Sequence, residues 1–320
     1  MITFLGRASR STAVRVILTV AILAYLSSRI DMAAAARAVA AISLPHLALV
    51  LLLVACDRLV MIFRWVLLLR ASGVAITWAN AARIFLVSSL VGSVLPAGVG
   101  ADVARAYGLA QHTTQGSEAV ASVAVDRLLG ILSLVAMGVV GLVFWAPVQG
   151  GDWRIVVAAG VLAVASIGVF WADRIVRWVV PDAHHDGAVA RRVLRTSDAV
   201  SRYRDRRGVL VHVMAWSIVV QVLRITQAFV LALGLGLTIP FGYLVMVMPV
   251  GLLVLLLPVS MSGFGLPQGV LVWLLRPIGV PDAASFALST LIVLTGLAGN
   301  LPGLMLWVTG RRGAPISSNL

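Results

Sequence analysis

The chain has 320 residues, of which 61% are hydrophobic and 12% charged, with a mean hydropathy of +1.03. That is roughly half the charge of a water-soluble domain, so a soluble globular fold is excluded. The net charge of +13 comes from arginine alone, because there is no lysine. Its arginines lie between or inside apolar runs, which excludes a nucleic-acid-binding face and marks them as topology determinants and partners for anionic lipid.

Arg7, Arg10 and Arg15 precede an apolar stretch at 16–26, a pattern resembling a signal peptide. No clean small-x-small cleavage site follows, so an uncleaved first helix at 12–27 is expected. Further runs of about 20 apolar residues predict spans at 44–69, 119–145, 153–171, 209–237 and 283–308. Between the second and third spans, 84–95 runs into Pro96-Ala97-Gly98-Val99-Gly100-Ala101-Asp102. Between the fifth and last, 243–257 runs into Pro258-Val259-Ser260-Met261-Ser262-Gly263-Phe264-Gly265-Leu266-Pro267. Each run is short for a crossing, and paired interrupted segments point to a transporter's substrate site. The lone Cys56 permits no intrachain disulfide and says nothing of the redox compartment.

Nine arginines and five aspartates fall in the loop 172–208, and the tail carries Arg311 and Arg312, whereas 146–151 is uncharged. The positive-inside rule then places both termini and the central loop in the cytoplasm. Parity requires the first interrupted segment, about 79–112, to enter and leave on the cytoplasmic face. The second, about 243–277, must do so on the opposite face. The expected fold is an all-α polytopic membrane protein, a single transmembrane domain over 1–320. It forms an inverted-topology repeat of about six full spans plus two re-entrant helical hairpins, with halves 1–150 and 151–312. Ten crossings with two kinked spans in place of each hairpin satisfy the same parity. The segment 188–207 reads as a basic amphipathic helix on the inner leaflet or as a solvated linker.

Charges inside a bilayer need a partner or a purpose. Asp57, Arg58 and Arg64 fall in the second span, Asp126 and Arg127 in the third, and Arg224 near mid-depth in the fifth, flanked by Gln221 and Gln227. Asp57 and Arg64, seven apart, share a helix face. The aspartates are expected to be structural or coupling carboxylates. The positive excess makes Arg58, Arg127 and Arg224 candidate ligands for a lipid phosphate, which guanidinium binds bidentately. Arg64 and Arg105 join that set. The hairpin tips add Gly98, Gly100 and Asp102, and Ser260, Ser262, Gly263, Gly265 and Gln268, where exposed N–H groups at a helix start suit an anion. Asp102 also reads as an N-cap, with Arg105 on its face. No metal-ligand spacing, nucleotide loop, catalytic triad or paired carboxylate is evident, so no catalytic residue, metal or cofactor is expected.

The stretches Arg64-Trp65, Leu95-Pro96-Ala97-Gly98-Val99-Gly100-Ala101-Asp102-Val103-Ala104-Arg105 and Val125-Asp126-Arg127-Leu128-Leu129-Gly130 resemble a known pattern. So does Ser262-Gly263-Phe264-Gly265-Leu266-Pro267-Gln268-Gly269. They are similar to motifs of the flippase-like membrane family that forms the transmembrane part of lysylphosphatidylglycerol synthases. Ala97 and Ala101 stand where that family usually has glycine, and Gln268 where it usually has glutamate. The resemblance implies a lipid translocase working by alternating access. Its cargo would be a phospholipid, a polyprenyl-phosphate-linked sugar lipid or a hopanoid-type lipid, in a bacterial inner membrane. Residues 1–320 hold no counterpart of the synthase domain, so lipid aminoacylation is not expected of them. A homodimer or an envelope-biosynthesis partner is the expected company. The alternatives are a non-transporting lipid-binding scaffold and, more remotely, a head-group transferase relying on Asp102.

Overall fold

The computed structural model describes residues 20, 23–94, 100–113, 116–145, 160, 206–256 and 264–310, and the regular structure among them is helical. The expected spans at 12–27 and 153–171, the central loop and both hairpin tips, with Gly98, Ser260, Ser262 and Gly263, lie wholly or largely outside the described residues. The helices are α1 (Met32–Ala40), α2 (Leu44–Ala71), α3 (Trp78–Val94), α4 (Gly100–Ala110) and α5 (Gly116–Trp145). After them come α6 (Arg207–Gly234), α7 (Phe241–Leu256), α8 (Leu266–Leu275), α9 (Asp282–Ala298) and α10 (Leu301–Gly310).

Among the described residues, four stretches are long and apolar enough to cross a membrane: α2, most of α5, α6, and α9 with α10 taken together from Asp282 to Thr309. The protein is therefore an integral membrane protein. Inside hydrocarbon a backbone must satisfy its own polar groups, which is why uninterrupted apolar runs fold as single helices. The last span, expected to be continuous, is divided between α9 and α10 at Gly299–Asn300. Asn300 Nδ2 there donates to Ser93 Oγ of α3 at 2.7 Å, tying the break to the first hairpin.

Helices α2 and α6 form the central pair and run antiparallel. Gly234 lies against His46, Arg224 meets Asp57, and Arg64 meets Ser217. Seven residues forward along α2 match seven residues back along α6, so the register holds over most of both helices. Phe63 and Trp216 stack edge-to-face beside the last of these contacts, with ring centroids 5.3 Å apart.

Around that pair, each hairpin has a long arm and a short one. The first pairs α3 (17 residues) with α4 (11), and the second pairs α7 (16) with α8 (10). At 1.5 Å per residue the arms are about 25 Å and about 16 Å long. None alone spans the ~30 Å core. Tyr243 Oη donates to the Leu274 carbonyl at 2.5 Å to join α7 with α8. Pro249 lies inside α7 and removes one backbone donor from that arm.

The contacts of the two halves correspond. Helix α5 packs on α7, and α10 packs on α3; α5 packs on α6, and α9 on α2; α4 packs on α5, and α8 on α9. Two of these interfaces, α5 on α7 and α10 on α3, are close because they contain glycine. A Cβ on Gly141 of α5 would sit 2.5 Å from the Met246 backbone of α7, and one on Gly303 of α10 would sit 2.3 Å from the Leu86 carbonyl of α3. Within the first hairpin, a Cβ on Gly92 would lie 2.4 Å from Ala101 Cβ. Lipid offers no hydrophobic drive for helix association, so small residues that admit close dispersion contact do that work.

Arg276 and Asp282 close the turn from α8 to α9, with the second pair of atoms 2.6 Å apart. The pair is solvent-exposed and contributes little to stability.

Gly141→Ala is expected to lower stability by about 1–3 kcal/mol through overpacking. Gly251→Ala, where a Cβ meets nothing within 4 Å, is expected to be neutral or to stabilise by up to about 1 kcal/mol. Thermal unfolding in detergent separates the two.

Candidate functional site

Two ion clusters occupy the interior, both seated on α2. In the first, Asp57 accepts from Arg58 Nη1 at 3.3 Å and from Arg224 Nε of α6 at 3.1 Å. Arg58 Nη2 reaches the Gly296 carbonyl of α9 at 3.1 Å, and Arg224 Nη2 approaches Met61 Sδ at 3.2 Å. In the second, Asp126 of α5 takes Arg64 Nη2 at 2.8 Å and Arg105 Nη1 of α4 at 3.0 Å. Asp102 receives Arg105 Nη2 at 3.0 Å and Arg127 Nη1 at 3.1 Å.

Asp57 and Arg64 share a face of α2 but do not pair, and neither do the neighbours Asp126 and Arg127. Seven residues along α2 is a rise of about 10 Å, too far for the side chains to meet. Each carboxylate is instead met by an arginine from another helix. Asp102 is likewise not the cap of α4. It sits in the first turn, and its oxygens are committed to the two arginines.

The clusters differ in what they leave open. Arg64 and Arg105 are sealed, with side-chain exposures of 4% and 6%. Arg64 Nη1 donates to Ser217 Oγ at 2.8 Å. The Arg105 guanidinium stacks over both Trp65 and Phe85, at 5.2 and 5.3 Å from the ring centres. Both belong to the packing and are withdrawn from the ligand-facing set. Arg58, Arg224 and Arg127 remain partly open, at 18%, 25% and 33%. Arg58 Nε is buried without an acceptor, as is Gln227 Nε2 one turn from Arg224.

Among the described residues, Arg58 and Arg224 share the single carboxylate of Asp57, which leaves one positive charge over in the first cluster. At membrane depth that surplus favours an anion. Gly265 starts α8 with φ of +94°, a conformation suited to glycine. Its N–H donates to Gln268 Oε1 at 2.6 Å. Gln268 is fully buried, and its Nε2 has no partner. Gly100 opens α4 beside the undescribed tip.

Several functional neighbours were not singled out from sequence: Trp65 and Phe85 as a cradle for Arg105, Met61, and the Gly296 carbonyl. Ser217 had a signal, because its seven-residue spacing from Arg224 mirrors that of Asp57 and Arg64.

Residues 12–303 match the family described as Lysylphosphatidylglycerol synthase TM region. The chain belongs to that family. No curated protein matches it. Within this member of the family, the Arg64-Trp65 pair and the Asp126-Arg127 pair are parts of one buried network.

Asp126→Asn strands two buried guanidiniums, so a loss of about 3–5 kcal/mol is expected. Arg127→Gln, at the open end of the network, should cost about 1 kcal/mol or less. Detergent unfolding of both variants checks the contrast.

Proposed function

We propose that this protein moves a lipid with an anionic or polar head between bilayer leaflets, as a transporter and not an enzyme, in a bacterial inner membrane. The observation carrying this reading is the first cluster, which keeps a positive surplus among the described residues and presents it on the partly open Arg58 and Arg224, with the partly open Arg127 near the first tip. A lipid phosphate would accept from these groups while its tails stay in the bilayer. Asp57 and Asp126 would hold the guanidiniums in place between turnovers, and Gln268 Nε2, buried without a partner beside Gly265, would contribute an amide donor at the second tip.

The alternating-access part of the proposal rests on an inverted repeat. The helix lengths run 28, 17, 11 and 30 residues in α2–α5. They run 28, 16 and 10 in α6–α8, followed by the broken span of 28. Equivalent elements make equivalent contacts, and the equivalent helices α2 and α6 lie antiparallel. These facts favour two opposed re-entrant hairpins, with both termini on the cytoplasmic side. Rocking of one half against the other would then expose the arginines to each leaflet in turn.

In vesicles, Arg58→Gln and Arg224→Gln should each slow leaflet transfer of a labelled anionic phospholipid at least about tenfold, the scale of one lost charge-assisted contact. Unchanged transfer by folded variants removes those residues from the mechanism. For topology, Ala75→Cys and Thr113→Cys in a Cys56→Ser background should react with an impermeant maleimide from one side. Thr238→Cys and Val280→Cys should react from the other. A pair split across the membrane would eliminate the re-entrant hairpins.

A further inference from the structure

A groove of about 850 Å³ lies between α3, α4 and α10, away from both ion clusters. That size falls within the range of small-ligand sites. Its polar lining comes from the ends of three helices: Asn80 and Arg83 near the start of α3, Gln111 and His112 just past α4, and Thr309 at the end of α10. Because α3 begins just past the end of one candidate span and α10 ends another, this rim lies at head-group depth. Tyr107 and Trp307, also in the lining, are 68% and 43% exposed, as expected of aromatic side chains at a membrane interface. The lining then turns apolar through Ile84, Val87, Val91 and Leu306. From Arg83 to Val91 the groove follows α3 for about 12 Å.

Charge fixes the occupant. No Asp or Glu lines the groove. Arg83 is exposed and makes no ion pair among the described residues. It is therefore a guanidinium without a carboxylate, set above an apolar trough. We propose that this groove is a second lipid site. It holds one anionic phospholipid from the adjoining leaflet, with its phosphate on Arg83 and an acyl chain along Val87 and Val91. The site does not depend on translocation through the central arginines. It would place an annular lipid between the first hairpin and the last span, where occupancy biases the packing of α10 against α3.

The test uses the full chain in phosphatidylcholine vesicles containing a phosphatidylglycerol probe with a diazirine in its acyl chain. Crosslinks are mapped by peptide mass spectrometry. Labelling should fall on α3 and α10 around Val87, Val91 and Leu306. Unlabelled phosphatidylglycerol should compete, whereas phosphatidylcholine and inorganic phosphate should not. Arg83→Gln should lower the labelling about tenfold, and Val91→Trp, at the other end, should abolish it by filling the trough. The proposal is overturned if labelling survives both variants, if phosphatidylcholine competes equally, or if phosphate alone displaces the probe. Should Arg83→Gln unfold, Val91→Trp and the wild-type competition decide the matter. Leaflet transfer by the Arg58 and Arg224 variants is read separately, so either proposal can fail alone.

Discussion

Hydrocarbon cannot solvate a guanidinium, and that constraint governs the interior of this protein. A charged side chain at the bilayer centre costs at least about 2.5–3.5 kcal/mol on insertion scales. Every arginine at depth must therefore find a carboxylate, a carbonyl, a hydroxyl or an aromatic face. The five interior arginines do so by crossing between helices, and in doing so they determine how the helices sit. Arg224 reaching Asp57 and Arg64 reaching Ser217 hold α2 and α6 in one antiparallel register. A shift of one residue rotates a helix face by about 100°, and both contacts would be lost together.

The same constraint separates structure from function within one set of residues. Arg105 has two carboxylates and two aromatic rings, and no remaining face for a ligand. Arg58 and Arg224 share the one carboxylate of Asp57 and stay partly open. Sharing leaves the pair under-neutralised, which is costly in an empty site and favourable when an anion enters. The buried and unpartnered Arg58 Nε is the local sign of that state.

Much of this was legible in the chain. The long spans follow from apolar run length, and the hairpin arms from Pro and Gly interruptions at matching places. Arg58, Arg127 and Arg224 stood out because arginines outnumber aspartates within the apolar spans. Which arginines were sealed could not be read. Sealing depends on Trp65, Phe85 and Ser217 arriving from three different helices, and nothing local marks those residues as cation partners. Same-face logic on α2 was also misleading for Asp57 and Arg64: a shared face does not bring side chains together across two turns. The break in the last span was hidden because Gly299–Asn300 interrupts an otherwise continuous hydropathy pattern.

The exchange of contacts between halves bears on how such a molecule would move. Each long hairpin arm packs against the final span of the other half: α3 against α10, and α7 against α5. At the contact points, glycine meets bare backbone, Gly303 facing the Leu86 carbonyl and Gly141 facing Met246. Interfaces without interlocking side chains resist sliding less than ridges set in grooves. The ion clusters do the reverse, because they bind α2 to α6, α5 to α4 and α9 to α2 with charge. Under the rocking proposal, the glycine contacts would therefore slide while the charged contacts between α2 and α6 served as the pivot. A lipid seated between α3 and α10 lies on one of those two sliding surfaces, and its presence would load one side of the movement and not the other.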